Sequence, residues 1–364
     1  MKILMIVPYP IFPPDEGGKR RAYSLLKYLA AQHELVLMTP RSKANKHNDL
    51  RVKLYETTAP GRLHQIVSPA FLRYTPEIIR AERPDVILTE FPWSGLHASY
   101  LARRFHIPMV LDAHNVEGHR FRSSGKRYWP LIAGYESIVA KSAKRVFVVS
   151  REDRERYVRA GVPRSKIEIV PNGVDPAIMR PDADAGAAVR AALGIGPATT
   201  VLLFFGQLEY APNREALDII AREILPRVTS DAQIVIAGKG DVGALRNSLP
   251  AGRVRFAGAV PDIAPYINAA DVVLAPIISG GGTRLKILES IACGTPVVST
   301  TLGAEGIDPG VCGGLLSVVD GWEAFVARVL ADRPVKPGNV PAGFLDLYSW
   351  ASIVGRIDWA AIRR

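Results

Sequence analysis

Residues 272–299 read VVLAPIISGGGTRLKILESIACGTPVVS, a whole strand-loop-helix-strand unit. The β-branched run at 272–275 reads as a buried strand, 285–293 as an apolar helix, and 296–299 as the next strand. A strand, a glycine-rich turn and a helix in that order form the building block of a parallel sheet. The same alternation runs outward in both directions. In the second half, strands are expected at 201–205, 233–237 and 254–257, with helices at 214–228 and 263–269. In the first half, strands are expected at 3–7, 34–38, 86–88, 109–112, 146–149 and 167–170. Helices are expected between them at 18–32, 76–82, 95–105, 131–144 and 151–160. Residues 171–196 open on Pro171-Asn172-Gly173, continue through an Ala-rich stretch and read as a connector. The expected fold class is α/β, with two Rossmann-like, doubly wound sheets in succession. Ligands of such sheets sit outside the carboxyl ends of the strands, which puts the expected site in a cleft between the two. The tail 334–343 is rich in Pro and Gly, and 345–362, with Tyr348, Trp350 and Trp359, reads as an apolar helix crossing back onto the first domain. The expected domains are 1–176 plus 345–364, and 177–344.

The composition of the 364 residues, 48% apolar and 22% charged, excludes a fibrous or disordered chain. Two cysteines, Cys293 and Cys312, make neither a disulfide framework nor a zinc set, which fits a reducing compartment. No run approaches the ~18 apolar residues of a membrane span, and 1–10 is broken by Pro8 and Pro10 too early for a secretory signal. The expected location is cytoplasmic, with peripheral attachment to the inner face of the membrane open. The net charge is +11, and its distribution is uneven: residues 1–175 hold 29 Lys and Arg against 17 Asp and Glu, while the remainder nets −1. A basic excess selects polyanionic partners: nucleic acid, acidic lipid or phosphorylated substrates.

Three segments carry chemistry. In Gly280-Gly281-Gly282-Thr283-Arg284-Leu285-Lys286, glycines expose backbone amides before a helix that Thr283 can cap. Arg284 and Lys286 fall where the helix dipole disfavours cations. A diphosphate at Gly282, Thr283, Arg284, Leu285 and Lys286 reverses that penalty and stabilises the charge that builds on a nucleotide leaving group. Glu289, further along the helix, is placed for a ribose diol; the alternative is a solvated Lys286–Glu289 pair. In the first half, Asp15-Glu16-Gly17-Gly18-Lys19-Arg20-Arg21 opens a helix, so Gly17 and Gly18 let amides approach an anion, with the three cations beside them. Asp112-Ala113-His114-Asn115-Val116-Glu117 ends a strand and is expected to face ligand, with Lys19, Asn115 and Glu117 toward an acceptor. Gly238-Lys239-Gly240-Asp241-Val242-Gly243 meets a dinucleotide spacing, but it lies in the second sheet and 244–250 is a short, polar continuation. Gly238, Lys239 and Val260 are instead expected near a nucleotide base, and a plain tight turn stays open. Asp182-Ala183-Asp184 has the spacing of a metal-binding acidic pair but does not follow a strand, and no metal is expected.

Pro171-Asn172-Gly173-Val174-Asp175, Phe205-Gly206-Gln207-Leu208-Glu209, Ala257-Gly258-Ala259-Val260-Pro261-Asp262 and the block 280–299 together resemble a GT-B glycosyltransferase of family 4. The resemblance spans most of the chain. It implies a nucleoside-diphosphate sugar, UDP- or GDP-linked, held by the second domain, an acceptor held by the first, retention of configuration, and no metal or other cofactor. Gly303-Ala304-Glu305-Gly306 resembles a subgroup found in polysaccharide and envelope-sugar assembly, which implies a lipid-linked or saccharide acceptor. Nucleic acid drops out as a partner, while an anionic membrane surface remains one.

By position, Glu289 matches the family glutamate that binds ribose, His114 the histidine that contacts the donor sugar, and Gly17–Gly18 the glycine loop beneath the diphosphate. The family's other glutamate falls on Gly281, and its phosphate-gripping Arg and Lys fall on Gln207 and Asn213. Arg284 and Lys286 are the natural substitutes. The resemblance also implies no obligatory protein nucleophile: the acceptor hydroxyl attacks on the leaving-group face, and the departing phosphate takes its proton. His114, Arg284 and Lys286 are then the catalytic residues. A nucleotide-sugar epimerase or a non-catalytic partner on the same frame are the other readings.

Overall fold

The computed structural model describes residues 1–43, 45, 50, 52–57, 69–243, 246, 249–331 and 339–363, with 69–72 described by backbone alone. Parts of the expected connector at 334–343 and of the polar segment 244–250 lie outside the described residues. The chain divides into two compact units, Met1–Asn172 with Ile353–Arg364, and Gly173–Ser352.

The first unit contains strands β1 (Lys2–Ile6), β2 (Glu34–Pro40), β3 (Lys53–Thr57), β4 (Val86–Glu90), β5 (Met109–Ala113), β6 (Arg145–Val148) and β7 (Ile167–Ile169). Helices α1 (Gly17–Ala30), α2 (Pro69–Glu82), α3 (Gly95–Phe105), α4 (Glu117–Ser123), α5 (Trp129–Ser142) and α6 (Arg151–Arg159) connect them. The sheet order is β3-β2-β1-β4-β5-β6-β7, with every pair parallel. Strands covered on both faces read as continuous apolar runs, which is why β1, β4 and β5 were legible. The direction of winding reverses between β1 and β4, and the crevice outside their carboxyl ends is where such a sheet receives ligand.

The second unit repeats the plan. After helix α7 (Ala183–Ala192) come β8 (Thr200–Phe205), α8 (Ala211–Ile219), β9 (Ala232–Ala237), β10 (Val254–Gly258), α9 (Ala264–Ala269), β11 (Val272–Ala275), α10 (Leu285–Ala292), β12 (Val297–Ser299), β13 (Leu316–Val318) and α11 (Trp322–Ala331). The order β10-β9-β8-β11-β12-β13, again parallel, puts the reversal between β8 and β11. The unit's core includes Leu203, Val273, Ile287, Leu288, Ile291 and Val297, so the unit 272–299 lies at its centre.

Two expectations change. The connector contains α7, which Asp182 caps by accepting the N–H of Ala185 at 2.9 Å; the Asp182-Ala183-Asp184 spacing therefore marks a helix start. The tail is three short helices, α12 (Phe344–Tyr348), α13 (Trp350–Gly355) and α14 (Trp359–Arg363), instead of one. Val174 causes the first break: its N–H donates to the Tyr348 carbonyl at 2.8 Å and its carbonyl accepts the Trp350 N–H at 3.1 Å, forming a short parallel bridge through Ser349. With Val174, Phe344 and Tyr348 all in the second unit's core, the boundary falls at Asn172 and the return at Ile353. Beyond that, Trp359 packs edge-on against Phe147 at 5.9 Å and Arg363 pairs with Asp85 at 2.9 Å, inside the first unit.

Candidate active site

In the first unit, Glu90 ends β4 and pairs directly across with Asp112, the last residue but one of β5, and His114 follows one residue beyond β5. All three are buried. His114 Nε2 is hydrogen-bonded to Glu90 Oε2 and lies 3.2 Å from Asp112 Oδ2. Arg21 donates to both oxygens of Asp112, at 2.6 and 2.8 Å. Its remaining N–H groups reach the Val170 and Pro171 carbonyls and Asn172 Oδ1. The Phe91 ring lies 4.0 Å from the His114 ring, and Tyr9 meets Phe91 edge-on at 5.7 Å. Burial opposes the Asp112 charge, but Arg21 and His114 overcome it and hold the carboxyl well below its usual range. For Glu90 the balance is reversed: burial and the Asp112 charge outweigh His114 and Arg21 and push it up to about 7. For His114, burial disfavours the cation, yet Glu90 and Asp112 raise its pKa on balance.

Gly17 and Gly18 open α1, as expected. A Cβ on Gly18 would lie 3.5 Å from the Phe91 ring and 3.6 Å from His114 Nδ1, so the glycine loop and the histidine converge. Three expected residues do not join them. Arg21 points inward, because residues 21, 22, 25, 26 and 29 form the buried stripe of α1. Lys19 is paired with Asp15 at 2.8 Å. Glu117 is buried with its carboxylate on Arg120, while its own N–H is taken by Glu136 at 2.8 Å, so it fastens α4 and is not offered to an acceptor. Asn115 remains, half-buried. Glu90, Asp112 and His114 offer ligand atoms within 4.8 Å of one another. The Arg21 guanidinium already supplies the cation there, so the group fits an ion-pair cluster better than a metal centre.

In the second unit, Lys286 and Glu289 are both buried, which removes the reading of a solvated pair. Lys286 reaches from α10 to α8: its Nζ donates to Asn213 Oδ1 at 3.1 Å and sits 4.0 Å from the centroid of the Phe204 ring. Asn213 Nδ2 donates to the Gln207 carbonyl at 2.8 Å. A Cβ on Gly206 would be 3.0 Å from Asn213 Nδ2 and 3.7 Å from Lys286 Nζ. The ammonium therefore lies beside the turn that ends β8.

Arg284 precedes α10 as its N-cap residue, and Thr283 does not cap the helix; its Oγ1 is buried without a partner. The Arg284 guanidinium donates to the carbonyls of Gly281, of Gly282 at 2.6 Å and of Ser279 at 3.1 Å, and its Nε is buried without a partner. Gly280 and Gly282, at φ 88° and 80°, supply the left-handed conformation this wrap needs. A Cβ on Gly281 meets nothing within 4 Å, so the family's glutamate has room there but is not present. Among the described residues, neither Arg284 nor Lys286 has a carboxylate in ion-pair range. Burial, then the Arg284 charge, brings Lys286 down to about 7, and burial lowers Arg284. Tyr210 and Glu305 supply the opposing charge that Arg284 feels. At the turn after β9, Leu208 N–H donates to the Lys239 carbonyl at 2.8 Å and Gly238 N–H to the Gly258 carbonyl at 2.7 Å, while Val260 is half-buried just beyond β10. Gly238 is forced to be glycine, since a Cβ there would lie 1.8 Å from the Gly206 carbonyl oxygen.

The model described as Glycosyltransferase Family 4 matches residues 16–178, and that described as Glycosyl transferases group 1 matches residues 199–331. The chain belongs to the family 4 glycosyltransferases. A D-inositol 3-phosphate glycosyltransferase of Mycolicibacterium gilvum (strain PYR-GCK) is 28% identical over 307 residues, 77% of this chain and 68% of that protein. Its namesake from Rhodococcus opacus (strain B4) is 31% identical over 237 residues, 59% of this chain and 52% of that protein. The match thus spans from about half to two thirds of these relatives' length. The structure of Anabaena HepE in complex with UDP and glucose superposes with a TM-score of 0.75 at 18% identity, covering 98% of both chains, which establishes the GT-B fold. In this glycosyltransferase the residues that sequence reasoning left out are Glu90, Phe91 and Tyr9 around His114, and Phe204 and Tyr210 around the two cations.

Proposed function

We propose that the chain transfers a sugar from a nucleoside-diphosphate sugar to a phosphate-bearing lipid or saccharide acceptor, with retention of configuration and without a metal. The observation that carries this reading is the pair Arg284 and Lys286: a half-buried and a buried cation with, among the described residues, no carboxylate in ion-pair range, one of them beside the β8 turn. Unpaired buried charge is costly. A diphosphate repays that cost, and the charge it gains as the glycosidic bond breaks is larger still, so the pair stabilises the transition state more than the ground state. Glu289 takes the ribose and Gly238 and Lys239 lie by the base, while His114 with Gly18 forms the sugar-facing part of the first unit. UDP in the HepE complex favours a uridine donor. Turnover of one nucleotide sugar from a UDP- and GDP-linked panel, unchanged by EDTA, is the expected result; epimerisation without acceptor, or no binding of any nucleotide, would contradict it.

The acceptor side carries the basic excess. Between residues 118 and 147 there are seven Lys and Arg and a single acid, Glu136, which is buried. Tyr128, Leu131 and Ile138 are 49%, 76% and 60% exposed along the same stretch. Exposed apolar side chains among cations fit an anionic lipid surface. No described helix is long and apolar enough to cross a membrane. Vesicles containing anionic lipid are expected to sediment the protein at low salt and release it at high salt; equal binding to neutral vesicles would remove the membrane from this reading.

A further inference from the structure

The ring of His114 is held from one side only. Nε2 faces two carboxylates, Glu90 and Asp112, whereas Nδ1 is buried with no hydrogen-bond partner and lies nearest the space above Gly18. Asp112 is already neutralised by two bonds from Arg21. Among the described residues the ring is the one cation hydrogen-bonded to Glu90, with Arg21 acting on it from farther off, and the second oxygen of Glu90, Oε1, is also buried without a partner. With Nε2 fixed as a donor, the charge on Glu90 decides what Nδ1 does: beside an ionised Glu90 the ring is an imidazolium and Nδ1 donates, while without that charge the neutral ring leaves a bare lone pair.

We propose that Glu90 is the positioning residue of His114, clamping the ring through Nε2 and keeping it cationic so that Nδ1 offers a proton to the bound sugar. This rests on the reading that His114 faces the donor. The charged and titratable groups around the ring are Tyr9 and Arg21 from the β1–α1 side, Glu90 from β4 and Asp112 from β5, with Glu16 acting on Tyr9. Asp112 also favours the imidazolium, but its bidentate pair with Arg21 is untouched when Glu90 is replaced, so a change in the ring's protonation then reports Glu90. Glu90 does not touch substrate and acts only through the histidine.

The test combines the NMR titration of the His114 ring nitrogens with the pH dependence of turnover, in wild type, Glu90→Gln and Glu90→Asp. An opposing charge at this range shifts a pKa by ~1–3 units. In Glu90→Gln the His114 titration is expected to fall by about one unit or more, and the limb on which turnover declines with rising pH moves down with it. Glu90→Asp should recover part of both shifts, and KM for the donor should change less than kcat. An unchanged His114 titration in a Glu90→Gln variant with wild-type unfolding overturns the clamp. A shifted titration with normal turnover in His114→Ala instead overturns the donor-facing reading, so the two failures are told apart.

Discussion

The Arg284→Ala/Lys286→Ala double variant is expected to fold and to lose at least about 10³-fold in turnover, since one preorganised donor to a developing charge is worth about 10²–10³. Lys286 is buried and Arg284 half-buried, yet their removal should not unfold the second unit. Among the described residues neither has a carboxylate in ion-pair range, so truncation leaves no orphaned partner charge, in contrast to breaking a buried salt bridge. The thermal midpoint is expected to stay level or rise. Lys286→Met, which keeps side-chain volume, separates charge from packing and should reproduce most of the single-site loss. A steady-state assay beside a thermal melt reads both.

The opposite balance holds at Arg21. Arg21→Ala leaves Asp112 buried without its cation, and breaking a buried pair in this way costs about 3–5 kcal/mol. Denaturant unfolding monitored by circular dichroism should show that loss, with the first unit unfolding earlier. The acid limb should move as well. Because the Asp112 pKa is depressed in the fold, its stabilisation is present above the ordinary value near 3.8 and vanishes as pH falls below it. Without Arg21 only His114 still lowers the Asp112 pKa, the depression shrinks, and acid unfolding begins at higher pH. Stability equal to wild type would mean that Asp112 is neutral in the fold, contrary to its bidentate contact.

Eleven of the thirteen described strands were legible because strands buried on two faces spell themselves as β-branched runs, and 272–299 displayed one complete crossover unit; the edge strands β3, mostly uncovered, and β13, three residues long, carry no such run and were missed. α7 was hidden because Ala-rich sequence after Pro181 reads equally as linker until Asp182 is seen to cap it. The tail's first break depends on Val174, some 175 residues earlier, and no local signal carries it. At the site, the glycine turns and the cations were visible as spacing. Arg21 was misplaced with Lys19 and Arg20 among the cations beside an anion, although its i, i+4, i+8 register with Leu25 and Leu29 marked it as inward. Glu90 could not be read at all: a lone acid ending a strand becomes a partner of His114 only when β4 and β5 lie side by side in register.

In the proposed site the phosphate-binding charge comes from Arg284 and Lys286 at the start of α10, while Gln207 and Asn213 after β8 are uncharged. Titration calorimetry of UDP and GDP against wild type and the double variant tests it most directly. One nucleotide should bind wild type with uptake of a proton above pH 7, because Lys286 sits near 7 when free and a diphosphate raises it. The double variant should bind at least about 100-fold more weakly, with no proton uptake. Unchanged affinity in a folded double variant would contradict the account.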